Sequence, residues 1–170
     1  EGLNIVANAL PLEPGDNVLL CDMEFPSNVY PWMNLERRGV ETRCLPNREG
    51  GLTLEAVLDA ADDHTRVVAV SSVEFLTGFR TDLTALGTWC HERDIYFVVD
   101  GIQSVGVLPI DVEASHIDFL ASGGPKWLLG PGGQEPVGEP VETGVQGLIR
   151  HPATLGDERR FLGKLVGAPS

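Results

Sequence analysis

Basic residues are scarce in this chain of 170 residues: Lys and Arg together number 12, Asp and Glu 25, and the formal net charge is −13. Because such a surface repels phosphate backbones and anionic lipids, nucleic acid and membrane surfaces are disfavoured as partners. Long apolar runs are also lacking, since none approaches the length that crosses a bilayer. The N-terminus has no basic-then-apolar signal peptide. We therefore expect a protein that acts away from nucleic acids and membranes.

Cysteine is sparse as well, with three residues far apart in the sequence, Cys21, Cys44 and Cys90. An odd number of distant cysteines is typical of buried, reduced thiols in a cytoplasmic protein. The four histidines have no metal-ligand spacing, so we expect no metal site. Aromatic residues make up 6% of the chain, whereas Gly (20) and Pro (12) are frequent and predict many turns.

What the chain does have is an alternation of short strands and helices. Strands are predicted at residues 18–21 and within "VETRCLP", "RVVAVSSV", "IYFVVD" and "IDFLAS". Helices are predicted within "GLNIVANAL", "PSNVYPWMNLERRGV", "TLEAVLDAADD" and "TDLTALGTWCHERD". The third strand is apolar nearly throughout, as a strand covered on both faces should be. This order predicts an α/β fold, a three-layer sandwich with a mainly parallel sheet between helices.

Two local details follow from helix patterning. Thr81 is expected to be the N-cap of the last helix. In the helix "TLEAVLDAADD", residues Leu54, Val57, Leu58 and Ala61 are expected to face the core.

The regular pattern ends near Pro131. We predict a main domain at residues 1–133 and a divergent, loosely ordered tail at residues 134–170, which is rich in Gly, Pro and Glu. The chain opens at Glu1 directly on a helical pattern. We therefore expect a piece of a longer protein.

Polar side chains follow several of the predicted strands. Ligands of open α/β sheets lie outside the carboxyl ends of the strands. Asp100 closes "IYFVVD", Gln103 follows it by three residues, and Lys126 comes four residues after "IDFLAS". Phe25 follows the first strand. A carboxylate, an amide, an amine and an aromatic ring are thus expected at one edge of the sheet.

This set of groups suits one kind of chemistry. Burial disfavours the charged form of a lysine, so a buried amine at Lys126 could form an imine with a carbonyl. A carboxylate such as Asp100 would keep a pyridine nitrogen protonated, and the two together are what pyridoxal phosphate (PLP) needs from a protein. Taken singly, Asp100 could be a turn acid and Lys126 a surface lysine beside Trp127.

A family resemblance agrees with this interpretation. The segment "DGIQSVGVLPIDVEASHIDFLASGGPKWLLGP" resembles the cofactor-lysine segment of class V aminotransferases, fold-type I PLP enzymes that include cysteine desulfurases and isopenicillin N epimerase. "EGLNIVANALPLEPGDNVL", "MEFPSNVYPW" and "GFRTDL" resemble other blocks of the family in the same order, so the resemblance covers residues 1–133. It implies an incomplete fold-type I large domain, an amino acid or related amine as substrate, and a homodimeric parent enzyme.

The resemblance also implies roles for individual residues. Lys126 would form the imine with PLP and then act as general acid and base in transamination, epimerisation or lyase chemistry. Asp100 would pair with the pyridine nitrogen and Gln103 with the phenolic oxygen of the ring.

Four further residues would complete the cofactor site. Phe25 would stack on one face of the ring and Ile102 would pack on the other, although both could instead be ordinary core residues. Gly2 and Ser122 would lie near the phosphate, which favours backbone N–H groups at a helix start.

Departures from the family pattern leave alternatives open. In "GGPK", Gly123 and Pro125 replace a Ser and a His, and Phe75 stands where cysteine desulfurases have an Asn, which favours the epimerase-like branch. The family's phosphate-binding Thr residues and its substrate-binding Arg have no counterpart, since "QEPVGEPVETG" does not resemble the family. A catalytically inactive fragment is therefore one alternative. A nucleotide-binding α/β domain without PLP is less favoured, because "CDMEFPSN" stands where G-x-G-x-x-G would be expected.

Overall fold

The structure, a computed structural model, describes residues 2–130. Its five strands are β1 (Asn17–Cys21), β2 (Glu41–Leu45), β3 (Thr65–Ser71), β4 (Tyr96–Asp100) and β5 (Phe119–Ala121). Its four α-helices are α1 (Gly2–Ala9), α2 (Tyr30–Met33), α3 (Leu54–Ala60) and α4 (Leu83–His91). The predicted tail at residues 134–170 lies outside the described residues.

All five strands are parallel and form one sheet in the order β2-β1-β3-β4-β5. The register places Ser71 of β3 and Ala121 of β5 on either side of Asp100. Because parallel strands end at a common edge, the loops that follow β1, β3, β4 and β5 meet there. This edge carries the candidate site.

Alternate residues of the central strands belong to two separate cores. On one face, Leu19 and Phe97 pack in a cluster to which α3 and α4 contribute. On the other face, Leu20 and Val98 pack with residues from α1 and α2. Both faces of the sheet are thus covered by helices, which confirms the predicted three-layer α/β sandwich.

The prediction of one helix across "PSNVYPWMNLERRGV" is wrong. The segment forms a 3₁₀ turn at Pro26–Asn28, the short helix α2, and a second 3₁₀ stretch at Asn34–Arg38. Pro31 lacks the N–H group that would continue an α-helix backwards into the first turn. Gly39, with φ at +82°, ends the segment as predicted.

Three smaller predictions are also corrected. Asp82, not Thr81, is the N-cap of α4, because its side chain accepts a hydrogen bond from Ala85 N–H. Leu58 is half exposed, since α3 packs through a face rotated by about one position. Cys44 is exposed because it lies on the edge strand β2, whereas Cys21 and Cys90 are buried and all three are free thiols.

Within residues 2–130, no helix is both long and apolar enough to cross a bilayer.

Candidate cofactor site

Asp100 lies at the carboxyl end of a central strand, where its side chain is shielded from water. Its exposed fraction is 4%. Its Oδ1 accepts a hydrogen bond of 2.9 Å from the N–H of Ile102. Burial raises the pKa of the carboxyl, while the Ile102 N–H and the positive charge of Lys126 act in the opposite direction. A cationic group placed against this carboxyl would therefore stabilise its charged form.

The turn after β4 and the loop after β5 pack directly against each other. Gly101 N–H donates to the carbonyl of Ala121 at 2.7 Å. Gly106, with φ at +98°, approaches the backbone of Trp127 so closely that a Cβ would lie 3.0 Å from its carbonyl. A Cβ on Gly123 would likewise lie 2.9 Å from Cδ1 of Ile102. This packing brings the loop that carries Lys126 beside Asp100.

Lys126 itself is exposed, so the prediction of a buried amine is wrong. Its loop lies on the outside of the sheet edge, where Trp127 and Leu129 are also exposed. The loop is nevertheless fixed by its own backbone, because Gly130 N–H donates to the Gly124 carbonyl at 2.8 Å. The amine is accessible to a molecule that enters from solvent.

Ile102 and Gln103 are both half-buried in the turn that follows Asp100. Ser104, the next residue, anchors this turn, since its hydroxyl lies 2.6 Å from the hydroxyl of Ser72 after β3. The three residues predicted to contact the cofactor ring from this side, Asp100, Ile102 and Gln103, therefore share one turn.

Phe25 is not a core residue: its exposed fraction is 45%. Its ring meets that of Phe75 edge to face, with the ring centres 5.1 Å apart. Phe75, 44% exposed, lies in the loop after β3. The two phenyl rings form an exposed aromatic pair at the same edge of the sheet as Asp100.

Gly2 lies beside the end of β5, and Ser122 is the residue that follows this strand. Gly2 is the first residue of α1, and a Cβ built on it would lie 3.3 Å from the Cβ of Ala121 at the end of β5. The hydroxyl oxygen of Ser122 is buried and has no hydrogen-bond partner among the described residues. A helix start beside an unsatisfied hydroxyl is a suitable environment for an anion such as a phosphate.

Sequence reasoning missed two buried acids at this edge, Glu24 and Glu74, whose exposed fractions are 6% and 2%. Each directly precedes one of the two phenylalanines, so the dipeptide Glu-Phe occurs after β1 and again after β3. This repeated dipeptide at two strand ends is a signal from which the pair could have been found.

The family model described as "Aminotransferase class-V" matches residues 1–134. This chain belongs to the aminotransferase class-V family. The match includes every residue of the candidate site and confirms the resemblance.

Two curated relatives are named as cysteine desulfurases. A probable cysteine desulfurase from Methanothermobacter thermautotrophicus is 37% identical over 134 residues, which cover 78% of this chain and 34% of the relative. A cysteine desulfurase from Escherichia coli O8 is 37% identical over 138 residues, with the same coverage. The chain thus spans about a third of the length of the curated relatives it matches. The names of these relatives do not test the prediction, based on Phe75, that the chain belongs to the epimerase-like branch, and it stays a prediction.

Solved structures of similar proteins share the fold. The cysteine desulfurase CsdA from Escherichia coli superposes with a TM-score of 0.69 at 30% identity, over 76% of this chain and 34% of that one. A complex of the cystine C–S lyase C-DES with cysteine persulfide gives a TM-score of 0.69 at 30% identity, over 76% of this chain and 36% of that one. A C-DES mutant with glycine covalently linked to its PLP cofactor matches equally well. The described fold is therefore part of a fold-type I large domain.

Proposed function

We propose that this chain carries the cofactor-binding part of a PLP-dependent enzyme that acts on an amino acid or related amine. The observation that carries the proposal is the pairing of a buried carboxylate, Asp100, with an accessible lysine, Lys126, on loops that pack together at the carboxyl edge of the sheet. Family membership and the PLP-bound C-DES structure support it.

The residues at this edge fit the separate parts of PLP. Asp100 would hold the pyridine nitrogen, and Gln103 on the same turn would reach the phenolic oxygen. The exposed ring of Phe25 would cover one face of the cofactor and Ile102 the other. The unsatisfied hydroxyl of Ser122 would face the phosphate.

The start of α1 at Gly2 completes the phosphate end of the proposed site, because free N–H groups at a helix start attract anions. When bound, PLP supplies an aldehyde that reacts with amines and a ring that takes up negative charge from the substrate.

The chain's own groups then have distinct tasks. The buried Asp100 carboxylate keeps a proton on the nitrogen it faces, because charges interact more strongly when shielded from water. Lys126 is exposed beside it, so its amine can exchange places with a substrate amine and can carry a proton to or from the substrate's alpha carbon. Cysteine and cystine are candidate substrates, since the relatives named above are cysteine desulfurases and a cystine C–S lyase.

A second candidate is a chain that binds PLP but does not turn over a substrate. The exposure of Lys126, Trp127 and Leu129 favours this alternative, because an open site admits water to the reacting groups. A cytoplasmic location and a homodimeric parent stay predictions from the family resemblance. Light scattering of the purified chain tests whether this part dimerises on its own.

The sequence offers a matched control for a binding test, because Lys126 and Lys164 are its only lysines. We expect the purified chain to hold PLP through dialysis with a visible absorption band. Lys126→Ala should lose the band and Lys164→Ala should keep it. Equal spectra for all three proteins, with free PLP alone absorbing, would overturn the proposal. Cysteine, cystine and alanine are then added to the PLP-loaded chain. A change in the visible band with formation of product indicates turnover, and an unchanged band indicates that the chain binds PLP without reacting.

A further inference from the structure

Two buried glutamates to which the proposed function gives no role meet at the base of the aromatic pair. Glu24 follows β1, and both of its carboxyl oxygens bond to the last residue of β3: Oε1 accepts from Ser71 N–H at 2.5 Å and Oε2 from the Ser71 hydroxyl at 2.6 Å. Glu24 thus links the ends of two neighbouring strands. A carboxylate with two donors in this geometry is held in a single orientation.

The Glu74 side chain has a different environment. Its exposed fraction is 2%, and within residues 2–130 no nitrogen or hydroxyl donor reaches its Oε2 atom. The acid with the largest effect on it is Glu24, whose charge raises the pKa of Glu74 and whose carboxyl is close enough to share a hydrogen bond with it. A hydrogen bond between two carboxyl groups requires a proton on one of them. Since Glu24 already accepts from two Ser71 donors, the proton belongs on Glu74.

Each glutamate directly precedes one ring of the aromatic pair. Phe25 and Phe75 meet edge to face at 5.1 Å, and both residues are nearly half exposed. The loop that carries Phe75 is closed by backbone bonds between Glu74 and both Phe79 and Gly78, each of 2.9 Å. The two glutamates thus lie at the points where the loops of Phe25 and Phe75 leave the sheet, directly before the two rings that touch.

We propose that Glu74 is a positioning residue: it shares one proton with Glu24, and this bond holds Phe25 and Phe75 together as one wall of the cofactor site. The inference rests on the proposed function for the identity of the bound molecule. The bond itself is a property of the chain alone.

The shared proton makes the wall sensitive to alkaline pH. Burial, and after it the charge of Glu24, raises the pKa of Glu74 to about 8. The other ionisable groups that face it are Asp100 at the end of β4, Asp22, and the thiol of Cys21. Above this pH two buried carboxylates repel each other and the loops separate.

Infrared spectroscopy of the chain without PLP tests the shared proton. At about pH 6.5 the difference between the spectra of the wild type and Glu74→Gln should contain the carbonyl band of a protonated carboxyl, and at about pH 9.5 it should not. Glu24→Gln, a second variant, should keep the band at about pH 6.5 but lose it at a lower pH than the wild type does, because burial still raises the pKa of Glu74 while the charge of Glu24 no longer does. Glu113→Gln, at an exposed glutamate, is the control and should keep it. If the spectrum of Glu74→Gln contains the same protonated-carboxyl band as the wild type, so that the difference spectrum lacks it, the proposal is overturned.

PLP titration of the same proteins tests the positioning role. The dissociation constant of the wild type should rise about tenfold more than that of Glu74→Gln between about pH 6.5 and about pH 9.5, because an amide cannot ionise. Equal pH dependence in the two proteins, with PLP bound, overturns the positioning role. If neither protein binds PLP at any pH, the proposed function fails instead, and the infrared result alone decides whether the proton is shared.

Discussion

Asp100 is the single residue whose position most restricts what can bind at the sheet edge. It is buried, and the hydrogen bond from Ile102 N–H is one that an asparagine could also accept. Asn in its place therefore preserves the turn but removes the negative charge. The fold and the cofactor affinity can thus be separated at this residue.

Asp100→Asn is expected to weaken PLP binding by about ten- to a hundredfold, the loss of one charge-assisted hydrogen bond. Because burial raises the pKa of this carboxyl, the change should leave the melting temperature the same or higher. Titration calorimetry and a thermal melt check the two effects, with the exposed Asp63→Asn as control. Unchanged PLP affinity would remove Asp100 from the cofactor site.

Some features of individual site residues could be predicted from the sequence and others could not. Asp100 and Lys126 could be placed at one edge from strand order alone, because parallel strands share their carboxyl ends. The exposure of Lys126 could not be predicted from strand order, since it depends on how the loop after β5 packs on the turn after β4. The burial of Glu24 and Glu74 was missed for the same reason. Charged residues in loops usually face solvent, and only tertiary contacts show otherwise.

At the scale of elements, the junction between β3 and α4 carries two hydrogen bonds of different kinds. Asp82 caps α4 at the surface, with its Oδ1 3.0 Å from Ala85 N. Thr81, the residue before it, is buried and donates its hydroxyl to the Ser71 carbonyl at 2.6 Å. Ser71 also anchors Glu24, so the buried bond supports the site.

Asp82→Ala should lower the free energy of unfolding by about 1 kcal/mol, the usual value of an N-cap. Thr81→Val should cost as much or more, about 1–3 kcal/mol, because it leaves a buried carbonyl without its donor. Urea unfolding measures both, and Asp82→Asn, which can still cap, should be nearly neutral. A larger loss at Asp82 than at Thr81 would contradict this assignment.

The elements themselves were predictable to different degrees. The strands and the helices α1, α3 and α4 follow from apolar periodicity, which burial on two faces of a sheet enforces. The segment around α2 was not predictable from periodicity, because two prolines and a glycine interrupt a run of otherwise helical residues. Here the missing N–H of Pro31 outweighs the periodicity.

At the scale of the whole molecule, the net charge of −13 and the buried acids both make the folded state less stable as the pH rises. Glu74 has a pKa of about 8 in the folded chain, against an ordinary value of 4.5. The folded state therefore binds more protons than the unfolded state between these values, and stability falls as the pH rises through this range. Asp62, whose pKa is lowered by the Arg43 guanidinium, has the opposite effect and loses its contribution in acid.

The chain should therefore melt at its highest temperature under mildly acidic conditions, and its melting temperature should decline up to about pH 8. Glu74→Gln should make this decline shallower, and Glu113→Gln should leave it unchanged. Thermal melts at constant ionic strength provide the measurement. A melting temperature that rises steadily from pH 5 to about pH 8 would show that the buried acids are not protonated as described.

Lys126 is proposed to be the residue that bonds to the cofactor, and chemical trapping tests this role most directly. The chain is incubated with PLP, reduced with borohydride, digested and mapped by mass spectrometry. Because the sequence holds only two lysines, Lys126 and Lys164, the assignment is unambiguous. We expect the cofactor mass on the peptide with Lys126 and none on the peptide with Lys164. Equal labelling of both peptides, or no labelling of Lys126, would contradict it.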